Sequence, residues 1–265
     1  MGGVWSWFSG GTRCPADAEE KNLVEEGLQA LGRILGRDRM TGAVVIEPTP
    51  AFFPDRYDAS EEAAHRLFTR VCGYMKVDPA CIQLSFWGDE GGERDAHQLG
   101  MSAGPKYTSG ASGLYSGTEG REQVWIHATE LKDPSSLVAT AAHELAHVLL
   151  LGQGRMSRET PHMEALTDLT PIFLGLGIFT ANTLLRRHAW TDGNYEGWRV
   201  QRKGYISPEM AGWALALFCW ERGEQDPRWV RHLSTDPREY LKMGLRYLAR
   251  RGGGTTLGGS HQTNF

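Results

Sequence analysis

Across residues 17–35 apolar side chains recur at Leu23, Val24, Leu28, Leu31 and Leu35, close to the period of a helix with one buried face. The run Ala43-Val44-Val45-Ile46 is β-branched and stops at Pro48 and Pro50, which predicts a short buried strand. Helical spacing returns over about residues 60–75. Residues 82–87 and 124–131 read as strands, the second alternating Val124, Ile126 and Ala128 against Trp125, His127 and Thr129. Between them, residues 100–122 are rich in Gly and Ser and nearly lack aliphatic side chains, which predicts a long mobile loop.

Beyond Leu131 the pattern is mainly helical, over residues 134–151, 161–174, 207–221 and 226–250. The apolar stretch 171–185 is too short and too interrupted by glycine to span a bilayer, and predicts a buried helix. Residues 252–265, rich in Gly, Thr and Ser, predict a disordered tail. The expected class is α+β: a lobe with a small mixed sheet over residues 1–152, a mainly helical lobe over 153–251, and the tail.

Composition narrows the setting more than the chemistry. A chain of 265 residues with 40% hydrophobic and 23% charged residues can bury a full core without covalent staples. The formal net charge of -4 and the absence of a dense Lys/Arg run argue against nucleic acid as a partner. Cys14, Cys72, Cys81 and Cys219 are scattered, with no CxxC pair, and read as free thiols. With no basic start leading into an apolar run, no secretory leader is expected, and reduced cysteines suit the cytoplasm.

The chemistry enters at Ala142-His143-Glu144-Leu145-Ala146-His147-Val148, an HExxH pattern inside a helical segment that Asp133 can cap and Pro134 can open. Four residues turn a helix by about 400°, so His143 and His147 leave one face a turn apart, at a spacing suited to one shared metal ion. Glu144 lies roughly 100° round, beside the metal and not on it. A carboxylate there can take a proton from a water that zinc has acidified while the water attacks a carbonyl. A catalytic zinc needs a third protein ligand, and Glu164-Ala165-Leu166-Thr167-Asp168 offers one on the next predicted helix. Thr160 would cap that helix and Pro161 open it, with Glu164 and Asp168 on one face and Asp168 accepting from the outer nitrogen of His143.

HExxH followed by ExxxD resembles the gluzincins, the thermolysin- and neprilysin-like branch of the zincin metallopeptidases. The resemblance covers residues 142–168 alone. It implies one Zn2+ per chain on His143, His147 and Glu164, with Glu144 as catalytic base and later proton donor, Asp168 as outer support, and a peptide or protein substrate. It also implies a zincin-like fold. Thermolysin-like members carry Asn just before the ligand Glu, where this chain has Met163, so His147 must find another orienting acceptor.

In zincins the strand before the HExxH helix is an edge strand that pairs with substrate, which makes Trp125 and His127 candidates to line the substrate site. Gluzincins often place a Tyr or His at the mouth of a later helix to steady the oxyanion. Tyr205 stands there, with Tyr195 and His188 as competitors. His162 reads as a surface or capping residue. Two alternatives stay open: a metal-containing regulatory or binding protein without catalysis, and a zinc hydrolase acting on a non-peptide amide.

Overall fold

The computed structural model describes residues 13–88, 112–118, 121–191 and 206–251, without the side chains of 118, 121 and 185–191. Helix α1 spans Ala18–Leu31 and starts at a reciprocal cap. The Asp17 carboxylate accepts from the Glu20 N–H at 2.9 Å, and the Glu20 carboxylate accepts from the Asp17 N–H at 3.2 Å. Its inner face buries Val24, Leu28 and Leu31, and a wider-wound turn over Gly32–Gly36 leads into the short helix α2, Arg37–Thr41. Helix α3, Glu61–Met75, is capped by Ser60.

The run from Ala43 to Ile46 pairs with no strand among the described residues. Val44 is 64% exposed and Ile46 is buried, although they share the parity that would put both on one strand face. The segment is tied down from elsewhere: the Ile46 N–H donates to Gly175 O at 2.9 Å. At Gly175 φ is +93°, and a β-carbon there would meet the Val44 carbonyl.

The sheet has three strands in the order β1, β3, β2: β1 Ile82–Trp87, β2 Gly113–Thr118 and β3 Arg121–His127. β1 runs parallel to β3, with Leu84 opposite Val124, and β2 runs antiparallel to it, with Tyr115 opposite Val124. Two expectations change here. Part of the predicted loop 100–122 is strand β2, whose small residues obtain their order from the β3 ladder and not from their own propensity. Strand β3 stops at His127, and Ala128–Lys132 forms a 3-10 turn. As the central strand, β3 buries Val124, Trp125 and Ile126 in succession, so covered faces replace the expected alternation.

Helix α4 spans Pro134–His147, with the Asp133 carboxylate accepting from the N–H groups of Ser135 and Ser136. It winds on as a π-turn over Val148–Gly152. The combined stretch Pro134–Gly152 is long and apolar enough to cross a membrane by composition, yet 72% of its most apolar window is buried inside the protein. It is a core helix, packed by α3, by both described neighbours β2 and β3, and by two helices that follow it.

The first of those, α5, spans Met163–Phe173 and begins later than Thr160 and Pro161 suggested, because His162 takes a left-handed conformation (φ 58°) and stops the helix there. The second, α6, is Gly177–Thr191; the turn at Gly175 divides the apolar stretch 171–185 between the two helices. Helix α7, Pro208–Glu221, is capped by Ser207 and buried along most of its length. The last predicted helix is broken: Arg228–His232 is a 3-10 turn, and α8 runs over Thr235–Arg250. One hydrophobic cluster runs from Ala16 to Leu248 and includes residues of both predicted lobes.

Arg222 ties the two ends of this arrangement. Its Nη1 donates to the carbonyls of Met40, Thr41 and Ala43 at 3.1, 2.8 and 2.7 Å, its Nε donates to Glu224, and its guanidinium lies over the Phe218 ring. Removing it takes a donor from three carbonyls, two of them half-buried, and a single ammonium cannot serve these carbonyls and the Glu224 carboxylate at once. Arg222→Ala is expected to lower the unfolding free energy by about 2–3 kcal/mol in urea titrations, with Arg222→Lys recovering less than half of the loss.

Candidate metal centre

Two helices build the site. α4 places His143 and His147 one turn apart, their rings meeting edge to face with centroids 5.1 Å apart. α5 crosses it with Glu164 in its first turn and Asp168 one turn later. The Glu164 carboxylate reaches both imidazoles: Oε2 is 3.4 Å from His143 Nε2 and 3.6 Å from His147 Nε2. All three donor atoms lie within 4.8 Å of one another, so His143, His147 and Glu164 form a group that could hold a metal ion.

The fit can be tested on these lengths. Ligands about 2.0–2.1 Å from a tetrahedral ion sit about 3.4 Å apart along the tetrahedron's edges, close to both of these separations. The charges agree. Burial alone would lower the basicity of His143, but the carboxylates of Asp168 and Glu164 outweigh it and push its pKa up to about 10. Burial would raise the Glu164 pKa, yet the two imidazoles beside it hold that carboxyl well below its usual range. The surroundings therefore favour positive charge among these three side chains, whether it arrives as protons or as a cation.

The outer shell treats the histidines differently. His143 Nδ1 donates to Asp168 Oδ1 at 2.8 Å, as the i, i+4 spacing of Glu164 and Asp168 required. Asp168 is 5% exposed, and its other oxygen accepts from the Ile206 N–H at 3.3 Å. Among the described residues, His147 Nδ1 meets the Thr167 hydroxyl alone, at 3.4 Å, and that hydroxyl donates its own proton to Met163 O. The sequence alone left this acceptor open; the place of Thr167 beside Asp168 on α5 was the signal that could have found it. Tyr115, whose ring lies parallel to His147, had no such signal in its Gly-rich surroundings.

Glu144 is 4% exposed. Strand β2 lies directly against it: a β-carbon on Gly113 would come within 2.8 Å of Thr140 Cγ2 and 2.9 Å of Glu144 Cδ, so glycine lets the strand approach the carboxylate.

The strand beside the site is thus β2, at the edge of the described sheet, and not β3. Trp125, on central β3 and 5% exposed, has almost no surface to offer a substrate. His127 is partly exposed, bonds Thr129 and meets Trp87 edge to face at 5.2 Å. His162 is exposed and outside the metal-binding group. Tyr205 and Tyr195 lie outside the described residues, as does the side chain of His188.

With Zn2+ as probe and a chromophoric chelator as competitor, Asp168→Ala is expected to weaken binding about 10–100-fold and Glu164→Ala to weaken it further. Unchanged affinity in Glu164→Ala would remove that residue from the ligand set. Comparison of the chain with protein-family models, with curated proteins and with solved structures finds no match, so the case for this centre rests on its own geometry.

Proposed function

We propose that the protein is a zinc-dependent hydrolase of the peptidase type, with its ligands in the gluzincin order. The observation that carries this reading is the convergence of His143, His147 and Glu164 from two helices, with the buried carboxylate of Glu144 on the same helix. Two imidazoles and one carboxylate suit zinc, and three protein ligands are the number found in catalytic zinc sites, whereas structural sites close with four and often use cysteine. No cysteine belongs to this group among the described residues.

Zinc held there supplies a Lewis acid that acidifies a water and polarises a carbonyl. The chain's residues do the rest. Glu144 takes a proton from the attacking water as the new carbon–oxygen bond forms. It then hands that proton to the amide nitrogen as the carbon–nitrogen bond breaks, so a carboxylic acid and an amine leave and Glu144 is regenerated. Asp168 keeps His143 in the tautomer that leaves Nε2 free to bind the ion. The outer edge of β2, unpaired among the described residues, offers backbone donors and acceptors to an extended substrate beside Glu144.

The decisive variant is Glu144→Gln, nearly isosteric and unable to accept the proton. It is expected to keep one zinc per chain by elemental analysis while cleavage of a mixed peptide library falls by about 10²–10⁴-fold. Full activity in that variant would overturn the assigned chemistry. In the wild type, a chelator is expected to abolish cleavage and added zinc to restore it.

A further inference from the structure

We propose that Tyr115 is the positioning residue of His147, orienting its imidazole for metal by ring stacking in place of a strong outer hydrogen bond. The inference rests on the metal-binding reading of His143, His147 and Glu164. A metal-ligating histidine is ordinarily fixed by a good acceptor on its other nitrogen. His143 has one in Asp168 at 2.8 Å. Among the described residues, His147 Nδ1 has the Thr167 hydroxyl at 3.4 Å, beyond the usual range of a strong hydrogen bond. Its orientation needs a second source.

Tyr115 supplies it. The two rings lie 10° from parallel with centroids 5.7 Å apart, within the range of stacked aromatic pairs. A stacked face resists rotation of the imidazole about its bond to Cβ, the motion that would swing Nε2 away from Glu164.

The tyrosine is itself held from several sides. Its backbone is in the β2–β3 ladder, and its hydroxyl donates to Glu122 Oε2 at 2.5 Å. The Arg158 guanidinium lies 5.5 Å from the ring centroid. Glu122 in turn occupies room left by two glycines: a β-carbon on Gly117 would come within 2.7 Å of its Oε2, and one on Gly152 within 2.7 Å of its Cδ. Gly152 ends the π-turn after His147, so the hydroxyl is engaged at the far end of the metal-binding helix, beyond His147. Tyr115 therefore acts through its ring.

The test compares Tyr115→Leu with Tyr115→Phe in the full chain, using Zn2+ affinity by chelator competition and the visible spectrum of the Co2+-substituted protein. Apo-protein circular dichroism and thermal midpoints are measured alongside. The expected result is a loss of about 10–100-fold in zinc affinity and a changed Co2+ band for Tyr115→Leu. Tyr115→Phe, which keeps the ring and loses the hydroxyl, should stay within about threefold of wild type and keep the wild-type band. Wild-type affinity in Tyr115→Leu, or equal damage in Tyr115→Phe, would overturn the proposal. If Tyr115→Leu does not fold, Tyr115→Thr, which suits a strand, is judged by the same criteria. A wild-type protein that binds no zinc would sink the metal reading itself, and this inference with it.

Discussion

A carboxylate buried on an otherwise apolar helix is costly unless donors meet it, and Asp168 is met from two directions, by His143 on α4 and by the Ile206 N–H just before α7. Three segments far apart in the chain are joined at this one side chain. Breaking its contacts would leave a buried charge without its donors. The packing of α5 on α4 and the orientation of the first histidine are therefore one fact, and Glu164, a turn earlier on the same helix, is brought to the imidazoles by it.

The two histidines of the motif share a helix but not an environment. One is held by charge from α5, and the other sits between α5 and the sheet, where the hydroxyl of Thr167 and the ring of Tyr115 flank it. Strand β2 thus bears on the centre twice, once through Gly113 at Glu144 and once through Tyr115 at His147. The three described strands owe this influence to their place against α4.

What the sequence disclosed follows the reach of the interactions. Helices α1, α3, α4 and α7 were legible because their caps and periodicities are local, set by Asp17, Ser60, Asp133 and Ser207 within a turn. The ligand group and Asp168 were legible because helical geometry converts spacing into direction. Strand β2 was not, since its order comes from β3, and Gly113, Ser116 and Gly117 mask the strand signal of Tyr115 and Thr118. The segment from Ala43 to Ile46 had a strand's composition but lacked a neighbour, and its partners, Gly175 and Arg222, are remote in sequence. Helix α5 starts two residues later than Pro161 suggests, because the left-handed residue His162 interrupts the chain there and no local signal marks it. Tyr115 could be found only in three dimensions.

The helix that carries HExxH is apolar on nearly every side, and much of what covers it, α5 and α6, lies downstream of it in the chain. During synthesis this segment leaves the ribosome before its cover exists. At about 5–20 residues per second, the stretch from Gly152 to the end of α6 takes on the order of seconds to emerge, and through that interval the helix presents a sticky surface to its surroundings. The feature that gives the finished protein a rigid floor for its metal ligands also makes the nascent chain dependent on chaperone cover, or on rapid collapse against α3 and the sheet, until α6 is complete.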